Sequence, residues 1–232
     1  RKLFQSRPPS HHARMSPAEA ARILIAHHAF APGGLVRKPN EPDSATAAPL
    51  VRAAVVVLRG STLFETLVSN LLHYDPQAGE PIAGTKADAP SWEQAPLPRI
   101  LRQKEEPRRS PLGWLDLLTW LSRRIELVRE GDEVTAYVRA VGQGLAEGSP
   151  NDPMVTWRLD EKRGFVSIGI DPNRAFWRDS VALCEAARGA DRKFLRPKAI
   201  DQASSFEVRK LVGDRAFALE ASGLAAVKSR VD

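Results

Sequence analysis

The chain has 232 residues and 25.5 kDa, with 43% hydrophobic and 27% charged side chains, the proportions of an ordinary globular protein. A single cysteine, Cys184, excludes a disulfide framework and a cysteine-built zinc site, and no apolar run approaches the ~20 residues of a membrane helix. No signal-peptide pattern opens the sequence, so a reducing compartment, the cytoplasm, is expected.

A formal charge of +6 and a pI of about 9.8 suit a polyanionic partner. Arginine in excess of lysine, with abundant alanine and proline, gives the same charge through genome composition alone, so charge leaves both readings open. The chain begins at Arg1 and stops at Asp232 without a terminating element, which predicts a fragment or a chain whose ends are missing.

Residues 1–15 (RKLFQSRPPSHHARM) are basic and turn-rich and predict a loop. Ser16-Pro17-Ala18-Glu19 is a capping box with proline first, starting a helix that carries Ala20, Ile23, Leu24 and His27 on one face and ends near Ala29. Phe30-Ala31-Pro32-Gly33-Gly34 follows, with Arg37 and Lys38 close behind. Adjacent glycines allow positive φ and close approach to another chain, and they serve equally as a helix stop. Residues 37–50, rich in Pro, Ala, Ser and Thr, predict a mobile loop.

Ala53–Leu58 (AAVVVL) predicts a short buried strand. Leu63, Leu67, Asn70 and Leu71 continue as a helix capped by Ser61 or Thr62. Residues 75–110 are proline-rich and too long for an ordinary connection, so they are functional or draped over the surface. The segment around which the rest is organised is Ser110–Val128 (SPLGWLDLLTWLSRRIELV). Ser110 caps a helix there with Pro111 first, Leu115, Leu118 and Leu121 recur at helical spacing, and Trp114 and Trp120 add apolar area.

Beyond it, Arg124–Val128 and Val134–Val141 flank Gly131-Asp132, and Met154–Leu159 and Phe165–Ile170 flank a charged turn at Gly164; both read as hairpins. Arg174–Arg188 predicts an amphipathic helix with Phe176, Trp177, Val181 and Cys184 apolar, Ser204–Leu211 a last helix and Phe217–Leu219 a strand. With no βαβ rhythm and no internal repeat, the prediction is α+β, mixed helices and antiparallel hairpins in one irregular globular domain over 1–232.

No catalytic motif is legible. His11/His12 and His27/His28 lack carboxylate or cysteine partners at a ligand spacing, so neither a metal nor a cofactor is predicted. Glu65 and Asp116 sit in apolar helices without a visible partner and read as exposed or helix-dipole carboxylates rather than an acid pair. Gly142-Gln143-Gly144 lacks the strand-to-helix context of a phosphate loop.

Six stretches together carry a resemblance: SPAEAARILIAHHAFAPGG (16–34), RGSTLFETLVSNLL (59–72), SW (91–92), PLGWLDLLTWLSRRIELV (111–128), AFWRD (175–179) and ASGLAAVKSRV (221–231). In this order and spacing they resemble the CasA family, the large subunit of the type I-E CRISPR surveillance complex Cascade, without that family's N-terminal portion and C-terminal four-helix bundle. The resemblance implies a non-catalytic protein of antiviral defence. It would sit at the crRNA 5′ end, recognise a protospacer-adjacent motif (PAM) in target double-stranded DNA, assist R-loop initiation and recruit the helicase–nuclease, with guide pairing reading the remaining sequence. Partners implied are crRNA, target duplex, the other Cascade subunits and that effector; a structural subunit that holds the crRNA 5′ end without reading DNA is the alternative.

Carried over residue by residue, the family's glycine loop falls on Gly33 and Gly34, its basic hairpin residue on Arg158, and its wedge on Val227, Lys228 and Ser229. Members often have Asn and Gln at the wedge, so Val227-Lys228 departs from the pattern. A plain turn at Gly131-Asp132 replaces the zinc insert of some members.

Overall fold

The computed structural model describes residues 14–37, 42–72, 87–95, 108–149, 151–184, 193–203, 205–213, 217–227 and 230–231. Residues 1–13 of the loop predicted over 1–15 and much of that over 75–110 fall outside them. In chain order the elements are α1 (Pro17–Phe30), β1 (Gly34–Arg37), β2 (Pro42–Ala45), β3 (Ala54–Arg59), α2 (Leu63–Asn70), β4 (Arg108–Arg109), α3 (Trp114–Leu118), β5 (Arg123–Glu130) and β6 (Glu133–Val141). There follow β7 (Gly144–Leu145), β8 (Trp157–Asp160), β9 (Gly164–Ser167), a 3-10 turn (Phe176–Asp179), α4 (Val181–Cys184), β10 (Phe194–Leu195), α5 (Lys198–Ala203), α6 (Phe206–Val212), β11 (Ala218–Gly223), β12 (Ala226–Val227) and β13 (Arg230–Val231). Helices mix with small, mostly antiparallel sheets, an α+β fold, and β4–β7 is the parallel pair among the described residues. The chain gathers into two compact units, residues 1–49, 84–149 and 227–232 in one and residues 50–83 and 150–226 in the other.

In the first unit, β5 and β6 pair from Arg123↔Val141 to Glu130↔Glu133 around Gly131, whose φ of 61° suits the tight turn. α1 and the β1–β2 hairpin pack against β6. Both arms of the capping box are made: the Glu19 N–H donates to Ser16 Oγ (3.3 Å) and the Ser16 N–H to Glu19 Oε2 (3.0 Å). The apolar face of α1 is narrower than its sequence suggests, since Ala20 is buried while Ile23 is half exposed. Part of the loop predicted over 37–50 is instead strand, Pro42–Ala45 pairing with Gly34–Arg37. Pro42 opens that strand, where a missing N–H is tolerated, and the pairing partner lies outside the local pattern.

The helix predicted from Ser110 shortens to Trp114–Leu118. Its cap is Asp88, not Ser110: the Asp88 carboxylate accepts the N–H groups of Leu115 (3.2 Å) and Asp116 (3.0 Å) and fills the space a Gly113 side chain would need. Trp114, Leu117 and Trp120 form the buried stripe, whereas Leu115 and Leu118 are about half exposed. The two indoles carry the larger apolar payload and decide which face turns inward.

In the second unit, β3 pairs with β11 from Ala54↔Gly223 to Arg59↔Ala218. On its other edge the Ala54 and Val56 N–H groups donate to the carbonyls of Ile168 and Met154, both at 2.9 Å. A strand bonded on both edges and covered by α2 and α5 accounts for the unbroken apolar run AAVVVL. Buried Val56 and Leu58 are each worth ~1.5–3 kcal/mol. Asn70 ties α2 to this strand, its amide donating to the Leu58 carbonyl (2.7 Å) and accepting the Leu58 N–H (3.0 Å).

Strand β8 lies between β10 and β9, in register Trp157↔Ser167 to Asp160↔Gly164 with β9. The helix predicted over Arg174–Arg188 becomes the 3-10 turn and one-turn α4, with 185–192 outside the described residues. An Asx turn at its start, Asn173 N–H to Asp171 Oδ1 at 2.9 Å, diverts the chain from helical geometry.

Candidate nucleic-acid interface

Gly33 and Gly34 do not cap a helix. α1 ends at Ala31 in extended geometry and Pro32 stops it, so the helix-stop reading of the glycines is replaced by a seated corner leading into β1. The Ala48 N–H donates to the Ala31 carbonyl (2.9 Å), and buried Arg123 donates to the Pro32 carbonyl (2.8 Å) and its own neighbour's carbonyl at Ser122 (2.5 Å). Ser122 Oγ donates to the His28 carbonyl at 2.7 Å. A Cβ on Gly33 would lie 2.9 Å from the Ala47 backbone nitrogen, so Gly33 is required by packing within the unit. Gly34 differs: its φ is 137°, it is exposed, and no atom of the described residues lies within 4 Å of where a Cβ would project. One glycine seats the corner and the next presents bare backbone.

His27 and His28 border this corner. Burial, then the charges of Arg139 and Arg123, lower the pKa of His27; burial, His27 and Arg123 lower that of His28 to about 4. Both are therefore neutral at pH 7, and among the described residues no group of three or more His, Cys, Asp or Glu side chains is placed to hold a metal ion. Because the folded pKa of His28 lies below its ordinary 6.5, the unfolded chain binds more protons between those values. Stability supported by the neutral imidazoles is complete above pH 6.5 and is lost as pH falls towards 4. Asp152 in the second unit acts oppositely, burial raising its carboxyl to about 6, so its contribution is complete below its ordinary 3.8 and fades as pH rises through 6. We expect urea unfolding of the wild type at pH 7 and pH 4.5 to show the first unit weakened by acid, and a His27→Gln/His28→Gln variant to lose that dependence. An unchanged slope in the variant would refute the assignment.

Arg158 sits on β8, its Cα opposite Val166 and Phe194. Its side chain is exposed and makes no hydrogen bond or ion pair among the described residues. It borders a cavity of about 160 Å³ with Ser167, Gly169, Asp171, Arg174 and Phe176. Gly33–Gly34 belongs to the first unit and Arg158 to the second. Val227 ends β12, which pairs with β13, while Lys228 and Ser229 lie outside the described residues.

The carboxylates come out differently from expectation. Asp116 is fully buried rather than exposed, gripped by Arg109 through Nη1–Oδ2 (2.5 Å) and Nη2–Oδ1 (2.8 Å). It also accepts the Leu112 N–H (2.8 Å) and the Gln94 amide (2.9 Å). Burial pushes its carboxyl up, but Arg109, the Leu112 N–H and Gln94 outweigh that and hold it below the usual range. Arg109 further stacks 4.4 Å from the Trp120 ring centroid. Glu65 is buried too, accepting the Ser61 N–H at 2.7 Å, and it belongs to the other unit. Both serve structure. Sequence reasoning missed the Arg109–Asp116 pair, the backbone carbonyls held by Arg123 and the Arg174–Asp179 pair (2.8 Å), none of which follows a helical or strand spacing rule.

The whole chain, residues 1–232, matches the sequence model of one group of CRISPR-associated proteins. It belongs to the CRISPR-associated protein Cse1 family. Over 182 residues it is 36% identical to the CRISPR-associated protein CasA/Cse1 of Thermus thermophilus, covering 78% of this chain and 34% of that protein. The solved Thermus thermophilus CasA (Cse1) superposes with a TM-score of 0.74 at 30% identity, over 94% of this chain and 46% of that one. A chain of a CRISPR RNA-guided surveillance complex shares the fold, with a TM-score of 0.65 at 22% identity over 95% of this chain and 43% of that one. The present chain thus spans less than half the length of these relatives.

Proposed function

We propose that this chain is the DNA-reading part of a Cascade large subunit, a non-catalytic component of a cytoplasmic crRNA-guided complex. It recognises the PAM in target duplex through Gly33-Gly34 and Arg158, opens the first base pairs with a wedge at Val227, Lys228 and Ser229, and helps recruit the helicase–nuclease. The observation that carries this reading is the seated corner, which holds an exposed, side-chain-free Gly34 at φ 137° on a frame fixed by Arg123 and the packing of Gly33. A minor groove about 6 Å wide admits bare backbone and slender cations more readily than bulky side chains. Arg158, exposed and unpaired among the described residues, supplies such a cation.

The test uses the complex assembled with this chain and labelled duplexes with or without a PAM. Arg158→Ala should weaken capture before strands separate: loss of a phosphate contact lowers the salt slope by about one, and loss of a base contact relaxes PAM choice by ~1–3 kcal/mol. Lys228→Ala should leave capture intact and slow opening, and a bubble beside the PAM should rescue it because unstacking, a few kcal/mol per step, is already done. Equal binding of duplexes with and without a PAM would favour a structural subunit that holds the crRNA end. Equal rescue of both variants by the bubble would sink the wedge.

A further inference from the structure

We infer that the cavity beside Arg158 is a receptor for a single unstacked nucleotide of the target DNA, with Phe176 as its stacking surface. The inference rests on the reading that places Arg158 beside the PAM. About 160 Å³ is too small for the ~300–1,000 Å³ sites that hold drug-sized ligands. It matches the ~150 Å³ cavity known to take one benzene-sized ring. The lining is of mixed sign. Arg158 is free of partners among the described residues, Arg174 is held by Asp179 at 2.8 Å, and Asp171 accepts the Asn173 N–H at 2.9 Å while still offering its other oxygen.

Two carboxylates on the lining disfavour a bare phosphate or sulfate, and two guanidinium groups disfavour a simple cation. A nucleotide satisfies both. Its base edge carries donors and acceptors for Asp171 and Arg174, its ring face stacks on an aromatic side chain, and its phosphate meets an arginine at the mouth. The wall is preorganised, because Ile168 is tied into the second unit by Ala54 N–H to its carbonyl and Gly169 packs where a Cβ would lie 2.7 Å from the Arg52 carbonyl oxygen. The neighbouring Trp177, 70% exposed with the Arg178 guanidinium 5.8 Å from its ring centroid, extends the aromatic and cationic character of the same short turn. DNA is favoured over guide RNA because Arg158 is the cation assigned to the target duplex.

Target duplexes carrying one abasic site, stepped through the PAM and the first protospacer positions on each strand, are bound to complexes containing wild type, Phe176→Leu or Phe176→Tyr. At one position the abasic site should weaken wild-type binding roughly 5- to 140-fold, the range of one base–aromatic stack. Phe176→Leu should weaken intact DNA by a similar factor and lose nothing more at that abasic site, whereas Phe176→Tyr should behave as wild type. If no position couples to Phe176, the nucleotide site is overturned; if PAM preference and Arg158 dependence persist in that experiment, it alone falls and the PAM-reading function stands. Coupling to an abasic guide nucleotide instead would assign the cavity to RNA and overturn the proposal. Should Phe176→Leu fail to assemble, 5-iodouracil stepped through the same positions in the wild-type complex decides: a crosslink to Phe176 or Trp177 supports the site, and crosslinks only elsewhere refute it.

Discussion

Replacing Asp116 with alanine should destabilise the first unit by about 3 kcal/mol or more, within the ~3–5 kcal/mol that follows the breaking of a buried ion pair. The carboxylate is fully buried and joins three groups: the Arg109 fork, the Leu112 N–H and the Gln94 amide. Alanine would leave the Leu112 N–H and the Gln94 amide without their acceptor and Arg109 over Trp120 without a counter-charge. Arg109 is 31% exposed at its side chain and can partly rehydrate, which keeps the loss near the lower end. For a chain of this size ~2–4 °C per kcal/mol predicts a fall of roughly 6–12 °C or more in the melting temperature of that unit. Arg163→Ala, which removes a solvent-screened surface pair to Asp160, should leave stability nearly unchanged by comparison. A near-neutral Asp116→Ala would show that the network is dispensable.

Local signals in the chain were enough for the capping box of α1, the buried strand β3, and the two hairpins that close at Gly131 and Gly164. Each is a contiguous pattern legible in the sequence, even where, as for β3, the pairing partners β11, Met154 and Ile168 lie far along the chain. The central helix failed for the opposite reason. Its true cap, Asp88, lies more than twenty residues upstream, and its inward face was set by Trp114, Leu117 and Trp120 against the leucine spacing. The same non-locality hid Asp116, whose partners Arg109, on β4, and Gln94, some twenty residues upstream, come from separate segments.

Of the candidate site, the glycines could be picked from sequence, but their division of labour could not. Gly33 is fixed by the backbone of Ala45 and Ala47, and Gly34 by its φ; neither fact has a sequence signature. Arg158 could be carried over by resemblance, whereas the cavity beside it needed the Asx turn that brings Asp171 and Arg174 together.

Gly142→Ala should be the most damaging single-methyl addition in the described part of the chain. Its Gly-x-Gly setting lacks the context of a phosphate loop, and the structure makes the residue a close-packing point. A Cβ there would lie 2.3 Å from the Leu121 carbonyl oxygen and 2.5 Å from the Arg123 backbone nitrogen. Those atoms are main chain and cannot swing aside, so the strain must move either β5 or the 142–143 turn. Moving the turn breaks the Gln143 N–H bond to the Leu121 carbonyl (2.9 Å) and the Trp120 indole bond to the Gln143 carbonyl (2.8 Å). Moving β5 shifts Arg123, whose guanidinium holds the Pro32 carbonyl and thereby the glycine corner. Overpacking of this kind costs ~1–3 kcal/mol and more where backbone is involved. Gly131→Ala is the matched control, since its Cβ meets nothing within 4 Å and only the positive φ is penalised, by ~1–2 kcal/mol. Gly142→Ala should therefore lower the melting temperature more than Gly131→Ala and, at temperatures where both remain folded, weaken PAM-dependent capture while Gly131→Ala leaves it intact. Equal capture by the two variants would uncouple DNA binding from the corner that Arg123 holds through the Pro32 carbonyl.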